Sequence, residues 1–101
     1  MKYKFWLDDC RPVPSKEWTL FVKAEDLIAT LKICFEAGTP IEVISLDNDL
    51  GDGLMEGYKV LDWLESLQMP IDFGVQIHSA NPVARERMRA IIQRNGWTEV
   101  M

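Results

Sequence analysis

The stretch Ile41-Glu42-Val43-Ile44-Ser45-Leu46-Asp47-Asn48-Asp49-Leu50-Gly51 decides how this chain folds. A short apolar run stops at two carboxylates and a glycine, as a buried strand does when it releases a loop. The same event recurs where Tyr3–Leu7 ends in Asp8-Asp9 and where Ile71–Ile77 ends in His78-Ser79-Ala80-Asn81. Parallel strands of an open α/β sheet release their loops at one shared edge, so these residues should converge however far apart they lie in sequence. Crowded carboxylates repel and need a counter-cation. An all-oxygen site of this kind favours a hard ion, Mg²⁺ or Mn²⁺, and that combination suits phosphate chemistry.

On either side of this stretch, strand and helix signals alternate. Tyr3, Phe5 and Leu7 alternate with Lys2, Lys4 and Trp6, which reads as a strand with one buried face. Arg11-Pro12-Val13-Pro14-Ser15 is too constrained for a helix and forms a loop, and Trp18–Val22 is a second strand. Ala24–Ala37 places Leu27, Leu31, Cys34 and Phe35 at helical spacing, with Gly38 and Pro40 as the stop. Beyond the Gly51-Asp52-Gly53 loop, a helix from about Glu56 turns Val60, Leu61, Leu64 and Leu67 inward. Phe73, Val75 and Ile77 alternate with Asp72, Gly74 and Gln76 in a further strand. Asn81-Pro82 supplies a cap and a first-turn proline for a helix whose inner face is Ala84, Met88, Ile91 and Ile92. Thr98–Met101 is the last strand. With no repeat, linker or low-complexity tract, the 101 residues read as one domain.

Composition excludes several classes. Hydrophobic residues make up 48%, enough for a core, and the net charge of −5 argues against duplex DNA as the partner. Arg85, Arg87, Arg89 and Arg94 crowd one late segment, read as a solvated helix face. Two cysteines, Cys10 and Cys34, are too few for a disulfide framework, so a reducing cytoplasm is expected. No apolar run approaches the ~18 residues of a membrane span, and Asp8 interrupts the N-terminal run before it could act as a signal-peptide core.

The strand-end residues resemble those of the receiver domains of two-component signalling. There an acidic pair ends the first strand, a phosphate-accepting aspartate the third, a Ser or Thr the fourth and a lysine the fifth. Asp8-Asp9, Asp47 and Ser79 match the first three; Asp49 stands where receivers offer a backbone carbonyl to the metal. The helix after the first strand is replaced by the Arg11 to Lys16 loop, the last helix is missing, and Thr98–Met101 contains no lysine. Those departures, with Leu7-Asp8-Asp9-x-Arg11-Pro12, Ser45-Leu46-Asp47-Asn48-Asp49-Leu50-Gly51, Gly57-Tyr58 and His78-Ser79-Ala80-Asn81-Pro82, resemble the cyclic-phosphate-processing receiver domains. The resemblance implies a reduced receiver-like (flavodoxin-like) sheet of about five parallel strands in the order 2-1-3-4-5, with three helices mainly on one face. It also implies a role in processing a cyclic phosphate, carried by a nucleotide-derived small molecule or an RNA end.

The residues support a consistent assignment. Asp9, Asp47 and Asp49 would hold the ion with Asp8 beside them, and His78 and Asp47 would be catalytic, His78 as acid or base. Ser79, Asn81 and Arg11 would hold phosphate oxygens, Asn81 through the helix start it caps and Arg11 in place of the receiver lysine. Strand alternation puts Asp9, Asp47 and Ser79 on the buried face and Asp8 and His78 on the other. Each residue has a plainer reading: aspartates also start turns, a strand-end histidine is often just hydrogen-bonded, and Arg11 can brace its loop. The run from Asp47 is no EF-hand, since its sixth position is Asp52 and its twelfth Tyr58. Cys10 follows two carboxylates, whose negative charge disfavours a thiolate, so it is rejected as a nucleophile. Two other functions remain open, a phosphoacceptor switch modified on Asp47 and a non-catalytic binder of a phosphorylated ligand. The sheet face without helices should carry Lys2, Lys4, Glu42, Asp72 and Gln76 together with Trp6, Ile44 and Leu46. Its apolar centre needs cover from the Arg11 to Trp18 loop or from a second copy in a homodimer.

Overall fold

The computed structural model describes residues 2–101. The chain runs β1 (Tyr3–Leu7), β2 (Trp18–Phe21), α1 (Ala24–Ala37), β3 (Ile41–Leu46), α2 (Tyr58–Ser66), β4 (Gly74–Ile77), α3 (Pro82–Arg94) and β5 (Thr98–Val100). Every strand pairing is parallel, in the order β2-β1-β3-β4-β5. This is the receiver-like, flavodoxin-type arrangement with three helices. α1 buries Ala24, Leu27, Leu31 and Cys34 along one stripe and stops at Gly38, whose φ of 68° suits glycine and whose N–H returns to the Cys34 carbonyl. α3 starts at Asn81, whose Oδ1 accepts the Ala84 N–H at 3.1 Å.

One core forms between the sheet and the helices. Phe5, Leu7, Ile44, Leu46, Val75 and Ile77 meet Leu27, Leu31, Val60, Leu61, Leu64, Met88, Ile91 and Ile92 there. Each fully buried Leu or Ile contributes about 1.5–3 kcal/mol of burial, which fixes the strand order and with it the edge where loops emerge. α2 and β4 are shorter than their sequence patterns suggest. Leu67 is not inward but 38% exposed, because α2 ends at Ser66 and Gln68 turns to a φ of 51°.

Simple alternation misplaces the side chains of β3. Tyr3 pairs with Ile41 but Lys4 pairs with Val43, so the register shifts at Glu42. A bulge of one residue reverses the parity that follows. Ile44 and Leu46 therefore lie in the helix-side core beside Phe5 and Leu7, not on the helix-free face. Val43 and Ser45 replace them, in register with Lys4 and Trp6. The apolar centre of that face is consequently small. Trp6, 8% exposed, packs edge-on against Trp18 at 5.5 Å, and its Nε1 donates to the Arg11 carbonyl at 3.4 Å, so the loop from Arg11 to Trp18 supplies the cover. Among the described residues, no helix is long and apolar enough to cross a membrane.

Candidate functional site

The carboxyl edge of the sheet is built by register. Leu7 pairs with Leu46 and Leu46 with Ile77, so the next residues, Asp8, Asp47 and His78, stand abreast. Their backbone N–H groups continue the ladder, Asp8 to Phe21 and Asp47 to Leu7 at 2.9 Å, His78 to Leu46 at 3.0 Å. The shifted parity of β3 thus puts Asp47 on the same side as Asp8 and His78, against the alternation argument. Asp9 is exposed, since it lies past the strand where the chain turns. Carboxylate oxygens of Asp8, Asp9 and Asp47 lie within 4.8 Å of one another. Asp49 falls outside this group. Two further residues carry it past the sheet edge, where its oxygens accept from Asn48 Nδ2 and Asn81 Nδ2, each at 3.3 Å.

The two buried carboxylates live in different surroundings. Asp8 Oδ1 accepts the N–H groups of Cys10 (2.8 Å) and Arg11 (2.9 Å), and Oδ2 meets His78 Nε2 at 3.0 Å. Burial works to raise its pKa, but the Arg11 and Cys10 N–H groups and His78 outweigh burial and hold it below the usual value. Among the described residues, Asp47 accepts only the Asn48 N–H, at 2.8 Å. Burial pushes its carboxyl above the usual range, the charges of Asp8 and Asp49 push the same way, and the Asn48 N–H and Arg11 oppose them.

His78 is held on every side. Its Nδ1 lies 2.7 Å from Ser45 Oγ, which also lies 2.7 Å from Gln76 Oε1, and its ring stacks on Trp6 at 3.8 Å and 3°. Burial lowers its pKa against the pull of Asp8. Both ring nitrogens are engaged within the protein, so His78 presents no free nitrogen to the crevice. Ser45, Gln76 and Trp6 are site residues that sequence reasoning missed. Their signal was a hydroxyl inside the apolar run of β3 and an amide in β4 placed to pair with it.

Arg11 closes the opposite side. Its Nη1 donates to the His78 carbonyl at 2.5 Å and its Nε lies 3.9 Å from Asp8 Oδ2, so a guanidinium from the β1 loop reaches across to the end of β4. Ser79, 2% exposed, accepts the Asn81 N–H at 3.1 Å and keeps its own O–H to donate. Asn81 is spent as the α3 cap and on Asp49. Because Pro82 has no N–H and the Ala84 N–H is capped, Val83 supplies the first-turn donor. Asn48, 1% exposed, accepts the Tyr58 N–H at 3.1 Å and donates to Glu56 at 2.9 Å, which ties the end of β3 to the start of α2. Gly57 fits beneath, where a Cβ would lie 1.8 Å from the Asp47 carbonyl oxygen.

The donor chemistry fits a hard cation. Among the described residues Asp9 accepts no hydrogen bond and Asp47 keeps one oxygen free, whereas both oxygens of Asp8 are occupied by protein donors. No curated protein matches the chain. A family model described as the cyclic-phosphate processing receiver domain matches residues 3–94, from β1 to the end of α3. With this match and the carboxylate cluster at its sheet edge, the chain belongs to the cyclic-phosphate processing receiver domain family.

Proposed function

We propose that this protein opens a cyclic phosphate in a metal-dependent hydrolysis, on a nucleotide-derived small molecule or an RNA end. The observation that carries the reading is the meeting of the Asp9 and Asp47 carboxylates with the Arg11 guanidinium at one sheet edge, in a member of this family. In the reaction, the water oxygen bonds to phosphorus and gives up a proton, one ring P–O bond breaks, and the leaving alkoxide takes up a proton, so that one water is added and a phosphomonoester results. Asp9 and Asp47 would hold Mg²⁺ or Mn²⁺, and the bound ion would neutralise phosphoryl charge. Arg11, the Ser79 hydroxyl and the Val83 N–H, held in place by the Asn81 cap, bind phosphoryl oxygens. For His78 to act as acid or base toward the substrate, Nε2 would first have to exchange Asp8 for it, so its contribution here is to hold Asp8. Asp49 braces Asn81. Cys10, exposed, and Cys34, buried, form no disulfide with each other, which suits a cytoplasmic protein.

The test is a panel of ribose cyclic phosphates, free and on RNA ends, incubated with Mg²⁺ or Mn²⁺ and followed by phosphorus NMR. A ring-opened monoester that needs the ion and is lost in Asp47→Ala supports the reading. Binding without turnover makes the protein a phosphate binder, and a phosphoryl mass gain on Asp47 from a small phosphodonor makes it a switch.

A further inference from the structure

We infer that Asp8 is the carboxylate partner of His78 rather than a ligand of the ion, with Ser45 and Trp6 as the residues that position the imidazole against it. The inference rests on the reading that Asp9 and Asp47 hold the ion, and it divides an acidic cluster that proximity alone would treat as one site. Each oxygen of Asp8 already has a protein partner: Oδ1 takes two backbone N–H groups and Oδ2 faces His78 Nε2 at 3.0 Å. Its side chain is fully buried, whereas Asp9 is exposed.

The proton arrangement follows from counting donors. A carboxylate oxygen facing Nε2 requires Nε2 to carry hydrogen. With Ser45 donating to Gln76 Oε1, Nδ1 must donate to Ser45 and the imidazole carries both protons. With the Gln76 amide turned end for end, Gln76 donates to Ser45, Ser45 donates to Nδ1, and the imidazole is neutral. In both arrangements Nε2–H points at Asp8 and every buried group is satisfied. Ser45 blocks ring rotation from one side and the Trp6 stack, 3.8 Å away, blocks it from the face. A carboxylate steadied in this way stays fixed beside Asp47 without taking ion ligands from it.

The chain contains one histidine, so nitrogen NMR of histidine-labelled protein reads His78 without assignment. The expected wild-type spectrum, above the imidazole pKa, shows hydrogen on Nε2 alone and stays so at saturating Mg²⁺. Hydrogen on Nδ1 alone, or loss of the Nε2 proton on adding Mg²⁺, overturns the proposal. In thermal-shift titrations Asp8→Asn, which removes a nearby charge but no ligand, should keep a Mg²⁺ response, while Asp9→Asn loses it. Equal loss in both variants also overturns it. If Asp8→Asn does not fold, Ser45→Ala decides: it should give a mixture of ring states that Ser45→Thr restores, and an unchanged spectrum in Ser45→Ala removes Ser45 from the assignment. If wild type binds no divalent ion, the ion reading of Asp9 and Asp47 falls, and the histidine spectrum alone judges the Asp8–His78 pair.

Discussion

Replacing Gly57 by alanine should cost more stability than any other single methyl added to a glycine with negative φ in this chain, and it should reach the site. Gly57 has φ −61° and ψ −33°, which alanine adopts freely, so backbone strain plays no part. The added Cβ would lie 1.8 Å from the Asp47 carbonyl oxygen, 2.8 Å from its carbon and 3.0 Å from Asn48 Cα, all backbone atoms that cannot swing aside. Ordinary contact near ~3.5 Å requires α2 and the end of β3 to separate by roughly 1.7 Å. That movement breaks the Gly57 N–H bond to Asn48 O at 2.9 Å and strains the Tyr58 N–H bond to Asn48 Oδ1 at 3.1 Å. Overpacking of about 1–3 kcal/mol and two hydrogen bonds at about 1 kcal/mol each give a loss of roughly 3–5 kcal/mol. For a domain of this size that lowers Tm by on the order of 15–25 °C. Gly38→Ala is the control: its φ of 68° strains alanine, but nothing lies within 4 Å. It should lose only about 1–2 kcal/mol. Thermal melts of both variants decide the matter, since a Gly57→Ala Tm no lower than that of Gly38→Ala would refute the close approach of α2 to Asp47.

Three other outcomes follow from the site and its surroundings. Burial raises the Asp47 pKa, so the folded state gives up stability as pH rises from the ordinary 3.8 through the folded value; Asp47→Asn should raise the metal-free Tm at neutral pH and shrink the gain on adding Mg²⁺, and a lower Tm would contradict it. Hydrogen bonds from Arg94 and then Asn95 lower the Glu65 pKa from 4.5 to about 2, so that stabilisation is present above pH 4.5 and is lost as pH falls toward about 2; Glu65→Gln should flatten the Tm profile across that window, as melts at a series of pH values would show. His78→Ala should lower cyclic-phosphate turnover by less than ~10², because a direct proton donor would cost ~10²–10⁴; a loss in the upper range would return His78 to the role of acid or base.

The parts of this fold written as local pattern were legible in the sequence. Leu27, Leu31 and Cys34 at helical spacing fix α1, and the strand ends at Asp8, Asp47 and His78 place the crevice because parallel strands share an edge. What failed was parity. Nothing in Ile41-Glu42-Val43 announces that Glu42 is an extra residue relative to β1, since a bulge depends on the partner strand. One such residue carried Ile44, Leu46 and Asp47 to the opposite faces from those that alternation gives. The bond from Asp8 to His78 spans sequence positions that no local pattern connects, and only the register of β1, β3 and β4 brings them abreast. Asp49 stands apart from the other carboxylates for a different reason: it belongs to the same motif as Asp47, but motif spacing says nothing about where a chain turns after leaving a sheet.

The loop that replaces a helix after β1 performs two tasks that receivers assign to separate elements. Its first turn is set by Asp8 Oδ1, which accepts the Cys10 and Arg11 N–H groups and so aims the Arg11 side chain across the strand ends toward the His78 carbonyl. The Arg11 carbonyl, pointing the other way, accepts the Trp6 indole N–H, and Trp18 at the far end of the loop packs on the same indole. Cover for the helix-free face and positive charge for the crevice are therefore one structure. The coupling has a consequence for Arg11→Gln: it should keep the Trp6 contacts, which use the Arg11 backbone, and so leave Tm nearly unchanged. It removes the charge that lowers the Asp47 pKa, leaving that carboxyl still higher. Phosphate binding, measured by titration of a cyclic phosphate, should weaken by roughly 1.5–3 kcal/mol, the worth of a charge-assisted hydrogen bond. A Tm that falls as far as that of Trp6→Ala, with phosphate binding intact, would show that Arg11 is a brace for its loop and that the crevice takes its positive charge from elsewhere.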